Sequence, residues 1–406
     1  MRNKALKWTG GAVAVAAIVL AYLLATGERG LSSRERPQRS LDVVRLDAAA
    51  TERLGWRSAG LDAVLDFAAT LSADSLIIMT DGEIVASFGD LTLPLATHSI
   101  RKALLGAVVG QHVGDGARQI PLDATLGELG IDDAPQPLTA LQKNATVRHL
   151  LKSVSGINHS AAAEAGLTAE KDRLLGADEN EPGTTWAYNN WDYNALTTIF
   201  EARTGQTVGE AFLSGIAEPL GMSDFSPADV TYLDAPERSR HRAVAFRLSA
   251  RDLARFGTLY LARGTLGGKE IIPASWIARI TDDYTVTGRS DLRWGHGYLW
   301  WLPDPELGLP AGTFWAWGLG NQALIVIPAW NTVVVHQSDT TAFLKRFLPM
   351  LSSDTSADAV IEDLIRSCRR RADRSSEYCV EHRFTTRREF EQLVALIVDA
   401  RLRQGQ

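Results

Sequence analysis

Apolar runs typical of β-strands occur in two distant parts of the chain, and a mostly helical stretch separates them. The first part, SLIIMTDGEIVASFG at residues 75–89, places two such runs around Asp81-Gly82, a dipeptide that favours a two-residue hairpin turn. The second part lies at 295–337, and the stretch at about 150–285 has mainly helical spacing. This order predicts an α+β fold in which strands from both ends share one antiparallel sheet and the helices form an insertion.

The first 27 residues have the pattern of a membrane anchor. Residues 1–7 are basic, and residues 8–27, WTGGAVAVAAIVLAYLLATG, carry no charge and are long enough to cross a bilayer. The basic flank predicts a cytoplasmic N-terminus and an inner-membrane helix, with the rest of the chain in the periplasm. A signal peptide cleaved near Ala25-Thr26-Gly27, which would leave a secreted protein, is the alternative. Both interpretations export the bulk of the chain.

The exported part divides into a linker at 28–50, one folded domain at 51–350 and a C-terminal tail at 351–406. The linker is polar, charged and contains proline. In the tail, Thr386 and Glu389 form a capping box before FEQLVALIVDAR, an amphipathic helix that we expect to pack on the domain. Membrane or partner binding is the alternative for this helix.

Two cysteines, Cys368 and Cys379, lie close together in this tail. In an oxidising compartment they can form a disulfide, and two buried thiols are the alternative.

Charge and spacing exclude several classes of function. The chain of 406 residues has a formal net charge of -6, which argues against a nucleic-acid partner. Its eight histidines lack the spacing of metal ligands, and neither an H-E-x-x-H helix nor a G-x-S-x-G turn occurs. We therefore expect no metal and no organic cofactor. The sequence does not specify the oligomeric state.

Ser99 and Lys102 stand three residues apart at the start of an apolar helix, in HSIRKALLGAVVG. On a helix the two side chains share a face, and a neighbouring base can activate a serine hydroxyl as a nucleophile. Burial or a second cation lowers the pKa of a lysine toward the range useful for such a base. The alternative is a helix N-cap beside a solvated surface lysine, and this stretch alone favours that alternative.

A second polar group follows a Pro-Gly turn in EPGTTWAYNNWDYNAL, residues 181–196. A tyrosine at position 188 can relay a proton to a leaving group, and Asn190 can orient a lysine or the substrate. Taken alone, the segment is more typical of a packed aromatic turn with an Asx hydrogen bond.

Taken together and in order, these segments resemble the serine β-lactamase-related hydrolases, which include class C β-lactamases, DD-peptidases and serine esterases. The resemblance runs from about residue 59 to about residue 340 and is strongest to the 6-aminohexanoate-dimer hydrolase branch. The segments that carry it are HSIRK, ATVRHLLKSVSGI, PGTTWAYNNWDYN, IAEPLGMSDF, SARDLARFGTLYL, GYLWWL and WGLGNQALIVIP.

The resemblance implies a β-lactamase/transpeptidase-like fold for residues 51–350 and specific roles in the site. Ser99 would be the acylated nucleophile, Lys102 its base and Tyr188 the proton shuttle, with Asn190 completing the Tyr-x-Asn element. The family's third element is a strand that carries Lys-Thr-Gly or His-x-Gly. Our alignment places Leu319-Gly320-Asn321 on that motif, so that Gln322 offers a second oxyanion N–H beside that of Ser99.

The sequence departs from the family pattern at Leu319, which is neither lysine nor histidine. A cation for a substrate carboxylate is missing there, which favours a neutral ester or amide substrate over a β-lactam or a D-Ala-D-Ala peptide. The predicted function is therefore a serine esterase or amidase acting on a small ester, amide or peptide. A penicillin-binding DD-peptidase or β-lactamase is the first alternative, and a non-catalytic, membrane-tethered ligand-binding module is the second.

Five tryptophans cluster around the late strands, and they either wall an acyl pocket or pack the sheet. They are Trp294, Trp300, Trp301, Trp315 and Trp317.

Overall fold

A computed structural model describes most of the chain after the predicted anchor. The described residues are 43–164, 168–176, 180–288, 293–341 and 384–401. The predicted anchor at 8–27 and the two tail cysteines lie outside them. Among the described residues, no helix is both long and apolar enough to cross a membrane.

The described part contains both strands and helices. Its strands are β1 Val43–Arg45, β2 Ser75–Thr80, β3 Glu83–Gly89, β4 Leu95–Ala96, β5 Val230–Ala235, β6 Ser239–Leu248, β7 Thr265–Leu266, β8 Lys269–Glu270, β9 Thr285–Val286, β10 Arg293–Gly297, β11 Trp300–Pro303, β12 Phe314–Gly318, β13 Gln322–Ile327 and β14 Thr332–Gln337. Its α-helices are α1 Ala48–Arg53, α2 Ser58–Thr70, α3 Arg101–Gly110, α4 Val147–Lys152, α5 Thr168–Leu175, α6 Asn190–Thr204, α7 Val208–Phe212, α8 Ala250–Leu261, α9 Ala274–Asp282 and α10 Arg387–Ala400.

Strands from both ends of the chain form one antiparallel sheet, as the sequence predicts. Nine described strands lie in the order β1-β3-β2-β14-β13-β12-β11-β10-β9. The two ends of the chain meet where β2 pairs with β14, with His336 opposite Leu76. The predicted hairpin is confirmed, because Asp81 and Gly82 both have positive φ, as a type I′ turn requires. The α+β prediction is therefore confirmed.

Both faces of this sheet are covered by helices. Side chains alternate along β2, so that Ile77 packs into one core cluster and Leu76 and Ile78 into the other. The first cluster includes α3 and α8, and the second includes α2 and the C-terminal helix α10. The helix α10 lies close to α2, because a Cβ built on Gly60 would be 2.7 Å from the Cα of Ala400.

The structure differs from the sequence predictions in two regions. The middle of the chain is not entirely helical, because β5 and β6 form an antiparallel hairpin whose longer strand also pairs with β4. Its signal was the alternation at residues 239–242, where Arg240 and Arg242 are exposed between buried neighbours with the period of a strand. The predicted linker at 28–50 is also too long, since Val43–Arg45 already pairs with β3 and α1 begins at Ala48.

Candidate active site

Ser99 lies at the entrance to α3, in a short 3₁₀ turn at His98–Ile100 that leads directly into the helix. Every residue of α3 is buried, whereas Ser99 itself is partly exposed. His98 has φ 46°, a conformation that costs energy for a residue with a side chain. The hydrogen bond between His98 Nε2 and Thr340 Oγ1, 2.7 Å, ties this turn to the chain just after β14. The fold therefore presents Ser99 at a fixed, accessible point.

Lys102 is directed at Ser99 and not at solvent. Its Nζ lies 2.9 Å from Ser99 Oγ, and the residue is 2% exposed. Burial lowers the pKa of Lys102 well below its ordinary value, and the charge of Arg101 lowers it further. A lowered pKa increases the neutral fraction of a lysine at any given pH, and a general base must be neutral to accept a proton. This geometry argues against the surface-lysine alternative.

Tyr188 completes a three-residue cluster from a distant part of the chain. Its hydroxyl oxygen lies 2.5 Å from Lys102 Nζ, and its ring stacks on Trp301 at 5.2 Å between centroids. The loop that carries it is held to the end of α4, because Ala187 N donates to Ser153 O. At the other side, the side chain of Asn189 caps α6. The structure therefore brings Ser99, Lys102 and Tyr188 together.

Asn190 was predicted to orient either Lys102 or the substrate, and it makes no hydrogen bond to Lys102 in this structure. Its Nδ2 donates to Ala163 O at 2.6 Å, and its buried Oδ1 has no hydrogen-bond partner among the described residues. Orientation of Lys102 by Asn190 is therefore excluded in this structure. Contact with a substrate stays a prediction.

The strand beside Ser99 is β12. The predicted third element of the site, Leu319-Gly320-Asn321, does not lie on this strand, so its predicted register is wrong. Residues 319–321 form the turn between β12 and β13, and they are not part of a strand. Gly318 lies against the residues just before the nucleophile, because a built Cβ would lie 2.7 Å from Thr97 O and 3.4 Å from the Cβ of His98. The end of β12, at Ala316-Trp317-Gly318, is therefore the part of the strand that borders the segment carrying Ser99. Apolar residues and glycines on both sides of the turn made this register ambiguous in the sequence.

The three residues assigned to substrate contact around this turn make structural contacts, and their contact with a substrate stays a prediction. Gly320 has φ 85° and packs against Thr340. The side-chain amide of Asn321 accepts from Trp317 Nε1 and donates to Thr385 O. Gln322 pairs with Gly318 in the sheet, and its Nε2 donates to Ala96 O at 3.0 Å. Gln322 thus braces the chain just before Ser99.

Comparison with known proteins shows the family of this chain. A family model described as beta-lactamase matches residues 71–347. The chain belongs to the beta-lactamase family. This protein is a serine hydrolase of that family.

Relatives of this beta-lactamase-family hydrolase are distant. An uncharacterized protein of Alkalihalophilus pseudofirmus is 26% identical over 259 residues, which are 59% of this chain and 71% of that protein. A family VIII carboxylesterase structure has a TM-score of 0.53 and 18% identity, over 74% of this chain and 94% of its own. A penicillin-binding protein homolog from Caulobacter crescentus has a TM-score of 0.52 and 17% identity, over 73% and 94%. These structures show the shared fold, and the predicted branch within the family stays a prediction.

The sequence analysis of this beta-lactamase-family hydrolase did not single out Tyr193. Lys102 Nζ lies beside two aromatic rings, 4.5 Å from the centroid of Tyr188 and 4.7 Å from that of Tyr193. The face of the Tyr193 ring attracts the ammonium ion that forms when Lys102 accepts a proton, and the Tyr188 hydroxyl oxygen accepts a hydrogen bond from it. Helical spacing was the available signal, because Tyr193 lies on α6 one turn after Asn190.

The tryptophans of the hydrolase make packing contacts, and their predicted role as walls of an acyl pocket stays a prediction. Trp300 and Trp315 are fully buried and pack into opposite core clusters, so they stabilise the sheet. Trp301 contacts the ring of Tyr188 directly, and Trp317 packs against Phe390 of α10. Trp301 thus packs directly against the cluster of Ser99, Lys102 and Tyr188, through the ring of Tyr188.

Replacing Arg101 by methionine is expected to move the acidic limb of the activity profile of this hydrolase to higher pH. The Arg101 charge disfavours the ammonium form of Lys102, so its removal raises the pKa of that lysine and reduces the neutral fraction at a given pH. The measurement is kcat/KM for p-nitrophenyl acetate from mildly acidic to alkaline pH. Arg101→Lys, which keeps a charge, is the control, and an unmoved limb in Arg101→Met would contradict the prediction.

Proposed function

We propose that this protein hydrolyses a small ester or amide through an acyl-enzyme on Ser99. The observation that carries the proposal is the position of Lys102 Nζ, which is within hydrogen-bonding distance of both Ser99 Oγ and Tyr188 OH. A single buried amine can therefore take a proton from the nucleophile and exchange one with the tyrosine.

The reaction begins when Ser99 Oγ attacks the carbonyl carbon while its proton passes to the neutral amine of Lys102. The carbonyl oxygen becomes an oxyanion, which the backbone N–H of Ser99 and a backbone N–H at the Gly318–Leu319 end of β12 would hold. Tyr188 donates its proton to the leaving group as the tetrahedral intermediate collapses, and the ammonium of Lys102 restores that proton. Water then attacks the acyl carbon and gives one proton to the Lys102–Tyr188 pair. The pair passes that proton to Ser99 Oγ as the acyl bond breaks and the acid is released.

The preferred substrate is one without a carboxylate beside the reacting carbonyl. The strand β12, Phe314–Gly318, carries no basic residue, and the following Leu319 is apolar. His98 beside Ser99 is held neutral, because burial lowers its pKa to about 4. A penicillin or a D-Ala-D-Ala peptide would thus find no cation at the strand that family members use. The similarity of fold to a family VIII carboxylesterase supports an ester.

The proposal is tested by following nitrophenol release and intact protein mass when the purified chain is mixed with short-chain nitrophenyl esters. We expect turnover and a transient acyl adduct, with peptide mapping placing the adduct on Ser99. A parallel reaction contains a fluorescent penicillin. Stable labelling by the penicillin with no ester turnover would favour the penicillin-binding alternative, and absence of any adduct would remove the support for an acyl-enzyme.

Replacing Tyr188 by phenylalanine is expected to lower kcat about 10²-fold or more. The change keeps the ring that stacks on Trp301 and removes the hydroxyl that lies beside Lys102 Nζ. Steady-state kinetics with an ester and an anilide of the same acid provide the measurement, and the anilide should lose more because its leaving group needs the proton. Tyr232→Phe, which removes a hydroxyl bonded to Glu201, is the control. Retention of kcat to within about threefold would assign the proton transfer to another group.

We further propose that residues 8–27 anchor the hydrolase in the inner membrane with its active site in the periplasm. The uncharged 20-residue stretch after a basic N-terminus supports this placement. Full-length protein should stay in the membrane fraction after an alkaline carbonate wash. Recovery of a shortened, soluble periplasmic form would instead indicate a cleaved signal peptide.

A further inference from the structure

The residues just before the C-terminal helix contact the turn that follows β12. Asn321 Nδ2 donates to Thr385 O at 2.8 Å, and the ring of Phe384 lies 3.6 Å from the Cβ position of Gly320. Asn321 is 6% exposed, Phe384 1% and Thr385 0%. The tail therefore reaches the interior of the domain at a point next to the strand that borders Ser99.

Asn321 joins this tail segment to β12 and to β14. Its Oδ1 accepts from Trp317 Nε1 at 3.1 Å, and its main-chain oxygen accepts from His336 Nδ1 at 2.9 Å. His336 Nε2 lies 3.2 Å from Thr385 Oγ1. Burial lowers the pKa of His336 to about 4, so the ring is neutral and Nε2 accepts from the hydroxyl of Thr385. Trp317, Asn321, His336 and Thr385 thus form a buried hydrogen-bond network under the turn.

The same turn is in contact with the segment that carries the nucleophile. A Cβ built on Gly318 would lie 2.7 Å from Thr97 O. On the other side of the turn, a Cβ on Gly320 would lie 2.7 Å from Cγ2 of Thr340, whose hydroxyl bonds to His98. Any shift of residues 318–321 would therefore change the distance between the end of β12 and Ser99.

We propose that Thr385 and Asn321 are positioning residues, through which the C-terminal segment fixes the end of β12 at the distance from Ser99 that oxyanion binding needs. The inference rests on the proposed function, because it assumes acylation of Ser99. It assigns a role to Thr385, which lies outside the stretch that matches the family, residues 71–347. It also explains why Asn321, whose φ of 52° favours asparagine or glycine, has both ends of its amide bonded.

Two substitutions break the network without removing a group from the reacting centre. Asn321→Asp keeps the acceptor for Trp317 and replaces the donor to Thr385 O by a repelling oxygen. Thr385→Val keeps the shape of the side chain and removes the hydroxyl that bonds to His336. Oxyanion contacts act mainly in the transition state, so each variant should lower kcat about tenfold or more and change KM less than about threefold. Thr385→Ser, which keeps the hydroxyl, should restore most of kcat.

The matched control is Thr386→Ala, one residue further on. Thr386 caps α10 through Glu389 N, so its loss weakens the helix and should lower Tm by roughly 2–4 °C. It leaves the contact between Thr385 and the turn in place, so kcat should stay within about twofold of wild type. All kcat and KM values are measured with p-nitrophenyl acetate on the full chain, well below the lowest Tm of the set.

The outcomes separate the inference from the proposed function. If Asn321→Asp and Thr385→Val keep kcat within about twofold while Ser99→Ala is inactive, the inference is wrong and the acyl-enzyme stands. If Thr386→Ala loses as much kcat as Thr385→Val, the tail contributes only stability and the inference is again wrong. If Ser99→Ala is fully active, the proposed function itself fails.

Discussion

Replacing Ser99 by alanine is expected to lower kcat for nitrophenyl ester hydrolysis by about 10⁴-fold or more, with KM changed only a few-fold. The change removes the oxygen that forms the acyl bond. The other contacts of the site, including the 2.5 Å approach of Lys102 to Tyr188, are untouched. A loss confined to kcat is therefore the signature of a missing nucleophile, and a loss about equally in KM would indicate a binding defect.

A matched control for this variant is Ser58→Ala. The hydroxyl of Ser58 lies on α2, on the other face of the sheet, and makes no hydrogen bond among the described residues. This substitution should leave both kcat and Tm close to wild type. The acyl adduct seen by intact mass must also disappear in Ser99→Ala and persist in Ser58→Ala. A Ser99→Ala protein that turns over ester at more than about a hundredth of the wild-type rate would assign the nucleophile to another residue.

Replacing Lys102 by methionine is expected to lower kcat about 10³-fold at neutral pH. Methionine fills nearly the same space but cannot accept the proton of Ser99 Oγ, which lies 2.9 Å from Nζ in the wild type. General-base assistance contributes about 10²–10⁴-fold in enzymes. Because burial lowers the pKa of this lysine, the wild-type rate should rise with pH as Lys102 loses its proton. The same acidic limb should be absent from the residual activity of the variant.

Lys143→Met provides the comparison for Lys102→Met. Lys143 is 36% exposed in its side chain and pairs with Asp132 at 2.7 Å, so its loss should cost at most about 1 kcal/mol of stability and no activity. The kinetics of both variants are measured across the same pH range. Survival of the acidic limb in Lys102→Met would show that another group accepts the proton.

Much of the fold could be predicted because its signals are local. The Asp81-Gly82 turn predicts its own hairpin, and the late apolar runs predict the strands that meet it. The β5–β6 hairpin was missed because helical segments precede and follow it in the chain. Charged residues also interrupt the apolar pattern of its longer strand. The register at β12 was missed because glycines stand at both 318 and 320, and only the contact with Thr97 distinguishes them.

By itself, the sequence determined that Ser99 and Lys102 share a helix face, because three-residue spacing on a helix is a local property. It could not place Tyr188 beside Lys102, since 86 positions of chain separate them and only the packing of α3 against α6 brings them together. The lowered pKa of Lys102 also required the tertiary structure, because it arises from burial by elements far apart in the chain. The same is true of Asn321, which the sequence suggested as a substrate contact. Its amide bonds to Thr385, 64 positions away, so tertiary structure alone reveals that it braces the site.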